Sequence, residues 1–586
     1  MKKRAFLAGM ALVLVLALAS CSGKAKSGSF SASAPGQGGE VNVTVKLENG
    51  KITAVELGSH NESAGIADDA LADIPKAIVD NQSITVDAVS GATVTSKAIM
   101  KATENALVKA GVDIKPFQKA VAVSRAADIT GNADVVIIGA GGAGLAAAVQ
   151  ANQNGATVIV LEKMSRPGGN AILAGGAMNA VDDGSETAKK FNDSVAKHYE
   201  QTFNGGDKQG DPALVKVLTD RAWEAVEWLK SLGMKFTGEV FTVAGGLWPR
   251  AHRPADPEGT GFFKTYNAYI ENHPGITVYV NAKVEHIVME NGRAVGVVGT
   301  GSSGNTINVK ANKGVVIATG GFGQNIELRE KYKGSWPSLG PAVKSTNHPG
   351  ATGDGIAMAE EVGAELIQMS NIQLLPLGDP ETGSLSGNIE HDVETRIFVN
   401  KDGNRFVDEG ARRDVMTKGL LAQPEAYMWI VMDSDTYPDG SVKNNFNETI
   451  DSLVASGRAV KADTLDELAK KINVSAENLK KAVDDFNAHA KDKTADAFGR
   501  TLFSTPIDTP PFYAGKRIAT VHHTMGGIKI DAETHVIDKN GKPIPGLYAA
   551  GEVTGGIHGT NRLGGNALTD MTVFGRIAGA NAAAER

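Results

Sequence analysis

The sequence predicts an α/β protein in which a doubly wound domain is interrupted by an inserted α+β domain and preceded by a smaller α+β domain. Three observations carry this. A continuous apolar run, Val135-Val136-Ile137-Ile138, opens glycine-rich sequence of the kind that builds buried parallel strands. That character gives way near Met369 to a stretch with charged helices around 464–491, then returns from Arg517 to the C-terminus. Ahead of both, alternating residues and a tight turn mark a hairpin that starts near Glu40. At 586 residues the chain is too long for one ordinary core, so roughly two to four domains are expected.

Composition sets the class. With 42% hydrophobic and 21% charged residues the chain is globular, and a net charge of -7 without a basic stripe excludes nucleic acid as a partner. Met1-Lys2-Lys3-Arg4 and the apolar run Ala5 to Ala19, too short to span a bilayer comfortably, read as a secretory signal. Leu18-Ala19-Ser20-Cys21 resembles a bacterial lipobox, and Cys21 is the sole cysteine. Residues 1–21 are therefore expected to be a lipoprotein signal peptide, with Cys21 becoming the lipid-carrying N-terminus of an exported protein on the bacterial membrane, facing periplasm or exterior. Residues 22–38, rich in Ser, Gly, Ala and Lys, read as a flexible tether. A single cysteine leaves no Cys-x-x-Cys-His haem site or Cys-ligated cluster, and no metal site is predicted.

The small domain is read over residues 39–115. Val41 to Leu47 alternates like a half-buried strand, Glu48-Asn49-Gly50-Lys51 turns, and Ile52 to Val55 returns. Helical sequence follows from Ile66 to Asp80, then a short strand, Ile84-Thr85-Val86. Ser90-Gly91-Ala92-Thr93 precedes a helix of period 3.6 from Ser96 to Ala110, and the region of Pro116 is the linker.

The second domain, residues 132–368 and 517–586, carries a Rossmann-like signature. Gly139-Ala140-Gly141-Gly142-Ala143-Gly144 follows the apolar strand and opens an Ala-rich helix. The first glycine makes the turn, the second admits a pyrophosphate, and the third lets helix pack on strand, with the helix N-terminus offering amides. A second strand, Thr157 to Leu161, ends in Glu162 and Lys163, where an acid binds ribose hydroxyls. Three further segments point to FAD rather than NAD. Arg166-Pro167-Gly168-Gly169-Asn170 follows the ribose acid, Val315 to Gly321 is a late strand ending in Thr319-Gly320-Gly321, and Gly546 to Glu552 closes the domain over the cofactor.

Here the resemblance becomes specific. Gly169 to Asn179 (with Ala174-Gly175-Gly176), His522-His523-Thr524-Met525-Gly526-Gly527 and Asn561-Arg562-Leu563-Gly564-Gly565-Asn566 resemble the soluble fumarate reductase flavoproteins, a family that includes urocanate and other enoate reductases. The likeness runs from about Ala133 to the C-terminus. It implies an FAD-binding domain interrupted by an α+β clamp domain over residues 369–516, with Asp354, His523, Glu552, Asn566, Ala567 and Leu568 among the FAD contacts. No His stands near position 169, where the family's membrane dehydrogenases bond FAD covalently, so FAD is expected to be non-covalent. Asp87 to Thr93 resembles the motif of FMN-binding domains in sodium-pumping quinone reductases, in which the final Thr, here Thr93, carries FMN by a phosphoester bond made by a flavin transferase.

The resemblance also implies the chemistry. Hydride addition from flavin N5 to an alkene beside a carboxylate builds negative charge that cations must hold, and the carbanion needs a proton. Arg562 and His522 match the carboxylate clamp, and Arg413 matches the arginine that donates the proton. Either Glu390 or Asp392 is a candidate for the relay that returns it. Where the family binds a second carboxylate by a His, Leu375 stands, and its Thr-Glu pair falls near Asn388-Ile389. Losing two charge-assisted bonds of about 1.5–3 kcal/mol each makes fumarate a poor expectation. Urocanate is favoured, with Glu390 as the acid for its imidazole, while the apolar Leu374-Leu375 pair suits an aryl or alkyl enoate; fumarate, acrylate, methacrylate and cinnamate are the alternatives.

The leading expectation is thus an anaerobic respiratory enoate reductase that draws electrons from a membrane-bound donor, a quinol dehydrogenase or a flavin or cytochrome carrier, through FMN to FAD. A dehydrogenase running the other way, of the ketosteroid type, is disfavoured by the Arg413, His522 and Arg562 set. A flavin electron-carrier lipoprotein without catalysis is the alternative from another class.

Overall fold

The computed structural model describes residues 26–586 apart from 38, 61, 63–66, 90–91, 122–124 and 391. Cys21 with the signal sequence, and Ser90-Gly91 of the flavin-attachment motif, lie outside the described residues. Among the described residues no helix is long and apolar enough to cross a membrane.

The N-terminal domain is a three-stranded antiparallel sheet backed by two helices, Asp68–Asn81 and Thr93–Lys109. The predicted hairpin forms between Glu40–Glu48 and Lys51–Leu57, and its turn residues Asn49 (φ 51°) and Gly50 (φ 79°) are left-handed, as a tight two-residue connection requires. Val41, Val43, Val45 and Leu47 point inward against the helices. Two expectations are corrected. The expected tether holds a strand, Gly28–Pro35, paired antiparallel with Glu40–Glu48. Phe30, Ala32 and Ala34 alternate onto the core face, a period-2 signal that the small side chains around it obscure. Ile84-Thr85-Val86 forms no strand.

The second domain is built on a parallel sheet, in spatial order 547–549, 315–317, 135–138, 158–161 and 276–279. An antiparallel meander of Ala282–Glu290, Arg293–Gly301 and Thr306–Ile317 extends it. Helix Gly142–Gln153 lies along the C-terminal helix Asn566–Ala584, and glycines set the approach: a Cβ on Gly575 or Gly579 would meet the carbonyl oxygen of Ala143 or Ala147 at 2.6 and 2.2 Å. The end of the chain is thereby packed onto its first nucleotide-binding helix.

The inserted domain has a five-stranded antiparallel sheet of Ile372–Gly378, Phe512–Thr524, Tyr427–Met432, Ile397–Val399 and Ala459–Ala462. The charged helices are Leu465–Ile472 and Ala476–Asp492. The domain boundary expected at 516/517 falls inside the strand Phe512–Thr524, because that strand begins in the insertion's sheet and ends at His522-His523 over the nucleotide domain. The N-terminal domain is pinned to both others, by an Asp69–Arg166 ion pair of 3.0 Å and a Gln37 amide donating to Ser384 Oγ at 3.0 Å.

Candidate active site

One continuous cavity runs from the glycine turn of the nucleotide domain to the facing strands of the insertion. At its first end the chain folds as the motif dictates. Gly139 adopts φ 98°, and a Cβ there would lie 2.5 Å from the Ala318 carbonyl. At Gly141 a Cβ would meet nothing within 4 Å, so the space in front of this backbone is open for phosphates. The helix Gly142–Gln153 starts there without a side-chain cap, which leaves its first amides for a ligand. Glu162 accepts from the Ala140 and Met164 amides, one on each oxygen and both at 2.8 Å. Burial raises its pKa, and the two amides oppose that.

Lys163 reaches Asp354 at 2.8 Å and Thr352 Oγ1 at 2.6 Å beside this acid. The Asn170 amide joins Asn347 Oδ1 at 2.7 Å and Glu552 Oε2 at 2.9 Å, tying the early and late segments together. Thr319 lines the cavity, and its buried hydroxyl has no hydrogen-bond partner. An open phosphate cradle, unspent helix amides, a ribose-facing acid and an orphaned hydroxyl fit FAD.

Most expected FAD residues line this space: Gly139, Gly141, Gly142, Ala143, Glu162, Lys163, Gly169, Asn170, Ala174, Gly175, Gly176, Thr319, Gly320, Asp354, His523, Glu552, Arg562, Ala567 and Leu568. Three stand behind the wall instead. A Cβ on Gly144 would lie 2.0 Å from the Gly139 carbonyl, so this glycine shapes the turn. Gly321 makes room for Thr524 and Glu552, a Cβ there lying 2.0 Å from Thr524 Oγ1. Asn566 is spent on Asn179, His198 and Thr202. Thr93 opens the 17-residue helix Thr93–Lys109, half-buried and away from this cavity. Among the described residues that helix has no side-chain cap bond.

At the other end Arg413, His522 and Arg562 converge. Arg413 is the first residue of the helix Arg413–Leu421; its Nε donates to the Ala244 carbonyl at 2.9 Å and its Nη1 to Gln373 Oε1 at 3.2 Å. Burial, then the neighbouring Arg562 charge, holds its pKa well below the ordinary guanidinium value. Arg562 donates to the Leu563 carbonyl at 3.2 Å, its buried Nε has no partner, and burial lowers its pKa to about 10. His522 Nδ1 is 2.8 Å from Thr346 Oγ1, which fixes the ring and leaves Nε2 available. Burial and both arginines keep His522 neutral at physiological pH. His523 is neutral for the same first reason and sits 3.6 Å from Glu552.

Glu390 lines the cavity and forms an ion pair with the fully buried Arg396. Burial, then Arg500, lowers the pKa of Arg396 to about 9. Asp392 accepts from the Glu394 amide at 2.8 Å. Sequence reasoning missed Gln373, which binds Arg413 and also donates to the Arg562 carbonyl at 2.8 Å, linking the two arginines. Its signal is one polar residue in an apolar strand. Gln373, Leu375 and Leu377 share the face toward the site, whereas Leu374 packs into the nucleotide domain, so Leu374 and Leu375 do not act as a pair.

The family model "FAD binding domain" matches residues 134–568, and "FMN-binding domain" matches 36–108. A urocanate reductase of Eggerthella lenta is 37% identical, over 94% of this chain and 91% of its own length. The chain belongs to the fumarate and urocanate reductase family of flavoproteins. An NADH:acrylate oxidoreductase of Vibrio harveyi is 36% identical over 93% of this chain, which spans 60% of that longer protein. The open form of a flavocytochrome c3 fumarate reductase superposes with a TM-score of 0.62 at 35% identity, covering 79% of this chain and 80% of its own. As a member of this family the chain is a flavin-dependent oxidoreductase of the fumarate and urocanate reductase type, with FAD and FMN as its cofactors. FAD fits the large cavity, and FMN the N-terminal domain.

Proposed function

We propose that this protein reduces the carbon–carbon double bond of an α,β-unsaturated monocarboxylate, as an exported terminal reductase of anaerobic respiration. One observation carries the reading: Arg413, Arg562 and His522 meet in the cavity that fits FAD, with Leu375 where a second carboxylate would need a polar partner. When bound, FAD would supply the hydride chemistry for the alkene and FMN the electrons for it.

The residues do the rest. The Arg562 guanidinium, with an unpartnered Nε, and neutral His522 grip the carboxylate and hold the alkene in place. Charge developing toward the carboxylate is stabilised by these buried donors, which need no reorganisation. Arg413 donates a proton to the carbon α to the carboxylate, completing addition across the bond. A guanidinium whose pKa is lowered by burial and by Arg562 is a better acid than one in water. Glu390 or Asp392 relays a proton from solvent back to Arg413. The urocanate reading asks Glu390 to hold an imidazole, and its pairing with Arg396 weighs against that. The reading is tested by anaerobic oxidation of reduced methyl viologen with a panel of enoates; a chain that binds both flavins and reduces none of them is not a reductase.

Electrons enter from a membrane-bound donor, a quinol dehydrogenase or a flavin or cytochrome carrier, through FMN placed on Thr93 by a flavin transferase. Thr93→Ala is expected to abolish the fluorescent flavin band on a denaturing gel while FAD stays bound; a retained band moves the attachment elsewhere. The basic stretch, apolar run and Cys21 support export and lipid anchoring. Cys21→Ser is expected to shift the protein from the membrane pellet to the soluble fraction with viologen-linked activity intact, and unchanged pelleting refutes the anchor.

A further inference from the structure

Resting on the reductase reading above, we infer that the substrate is an aryl-substituted acrylate, a carboxylate alkene whose β-carbon carries a flat apolar ring. Phe241 and Val243 from the nucleotide domain and Leu375, Leu377, Leu385 and Phe446 from the insertion line the cavity with apolar side chains. These side chains come from separate segments, and all but Val243 and Leu385 are buried, so the surface they make is set by packing in the protein's own cores. The side chain of Phe446 stands near Gly175, where a Cβ would lie 3.7 Å from its ring.

Two polar groups on this wall, Glu390 and Asn388, are already engaged. Glu390 is paired with Arg396, whose guanidinium also lies over the Phe398 ring at 4.5 Å. Asn388 Oδ1 accepts the Glu390 amide at 3.1 Å, and the Asn388 carbonyl accepts from Asn444 at 2.8 Å. The lysines and arginines lining the cavity are Lys163 and Lys283, with Asp354 at the adenosine end, and Arg413 and Arg562 at the clamp. A second carboxylate placed among Phe241, Leu375 and Phe446 would lose water with no lysine or arginine of the described lining beside it, Arg253 lying over the Phe241 ring at 4.2 Å but outside that lining. Among the described residues, the acid on this wall that an imidazole would use, Glu390, is paired with Arg396. A phenyl ring needs neither, buries its whole surface there, and meets two aromatic rings that favour it over an alkyl chain.

The test is kcat/KM for the flavin-loaded enzyme with reduced methyl viologen and cinnamate, crotonate, acrylate, urocanate and fumarate. Cinnamate is expected to exceed each of the others by about tenfold or more, the scale on which an apolar pocket rewards a filling group. Leu375→His is expected to narrow that ratio in favour of fumarate by about tenfold. Because Leu375 is a core residue, a binding measurement on the unaltered enzyme stands beside it: 3-phenylpropanoate should perturb the oxidised flavin spectrum at concentrations about tenfold below succinate or propanoate. Faster turnover of urocanate, fumarate, acrylate or crotonate than of cinnamate overturns the aryl assignment and leaves the reductase reading standing. A panel in which no enoate turns over removes both.

Discussion

Arg413→Ala lowers kcat by roughly 10²–10⁴-fold while FAD and FMN remain bound, the range expected when a positioned proton donor is removed. The side chain has little freedom to be replaced. It leaves the first turn of the helix Arg413–Leu421, is anchored at Nε by the Ala244 carbonyl and at Nη1 by Gln373, and presses on Gly245, where a Cβ would lie 2.6 Å from Arg413 Cγ. Lysine cannot reproduce two bonds in one plane, so Arg413→Lys should fall nearly as far. With substrate binding assigned to Arg562 and His522 in the proposed reaction, the loss belongs in kcat more than in KM. The pH profile is a second readout. Burial and the Arg562 charge lower the Arg413 pKa, so activity declines on the alkaline side at a lower pH than an ordinary guanidinium would dictate. A near-normal kcat in Arg413→Ala, with an unchanged alkaline limb, assigns the proton to another group.

The site was legible where chemistry constrains the backbone and obscure where packing alone decides. Gly139 and Gly141 announce themselves because a turn and an approaching phosphate exclude a side chain, and the open space at Gly141 is the structural counterpart. Gly144 belongs to the same motif yet acts through the Gly139 carbonyl, a contact that spacing alone does not separate from ligand contact. Arg413, His522 and Arg562 were found through family motifs, since two arginines and a histidine spread from position 413 to position 562 carry no local signal. Gln373 was missed because one polar residue in an apolar strand reads as noise until its partners are known. Phe241 and Phe446 were missed for a related reason: an aromatic residue at a strand end or in a turn is core or cavity wall according to a fold that brings distant segments together. The strand Gly28–Pro35 was read as a tether because Ser, Gly and Ala dominate it, although main-chain pairing needs only an inward-facing row.

Glu409→Gln is expected to destabilise the inserted domain by about 3–5 kcal/mol, the scale for leaving buried charges without a partner. Glu409 is fully buried and bridges Arg405 at 2.7 Å and Arg500 at 2.8 Å, while also accepting the Phe398 amide at 3.0 Å. Asp496 is the other carboxylate in the cluster, 2.7 Å from Arg405, and Arg500 keeps only main-chain acceptors once Glu409 is neutral. By contrast, Asp485→Asn removes an exposed pair with Lys481 and should change stability by at most about 0.5 kcal/mol. The melting temperature of the holoenzyme should therefore fall on the order of 10 °C for Glu409→Gln and hardly move for Asp485→Asn. Acid should mimic the substitution. Burial pushes the Glu409 pKa up, but Arg500 and Arg405 more than offset this and hold it below the ordinary value. Its contribution is thus complete above the unfolded carboxylate pKa of about 4.3 and is lost as pH falls through the lower folded value. Glu409 lies one turn before Arg413, so the variant should also lose turnover while its FAD content holds. Equal melting of the two variants would mean that this buried cluster does not hold the proton donor's helix in place.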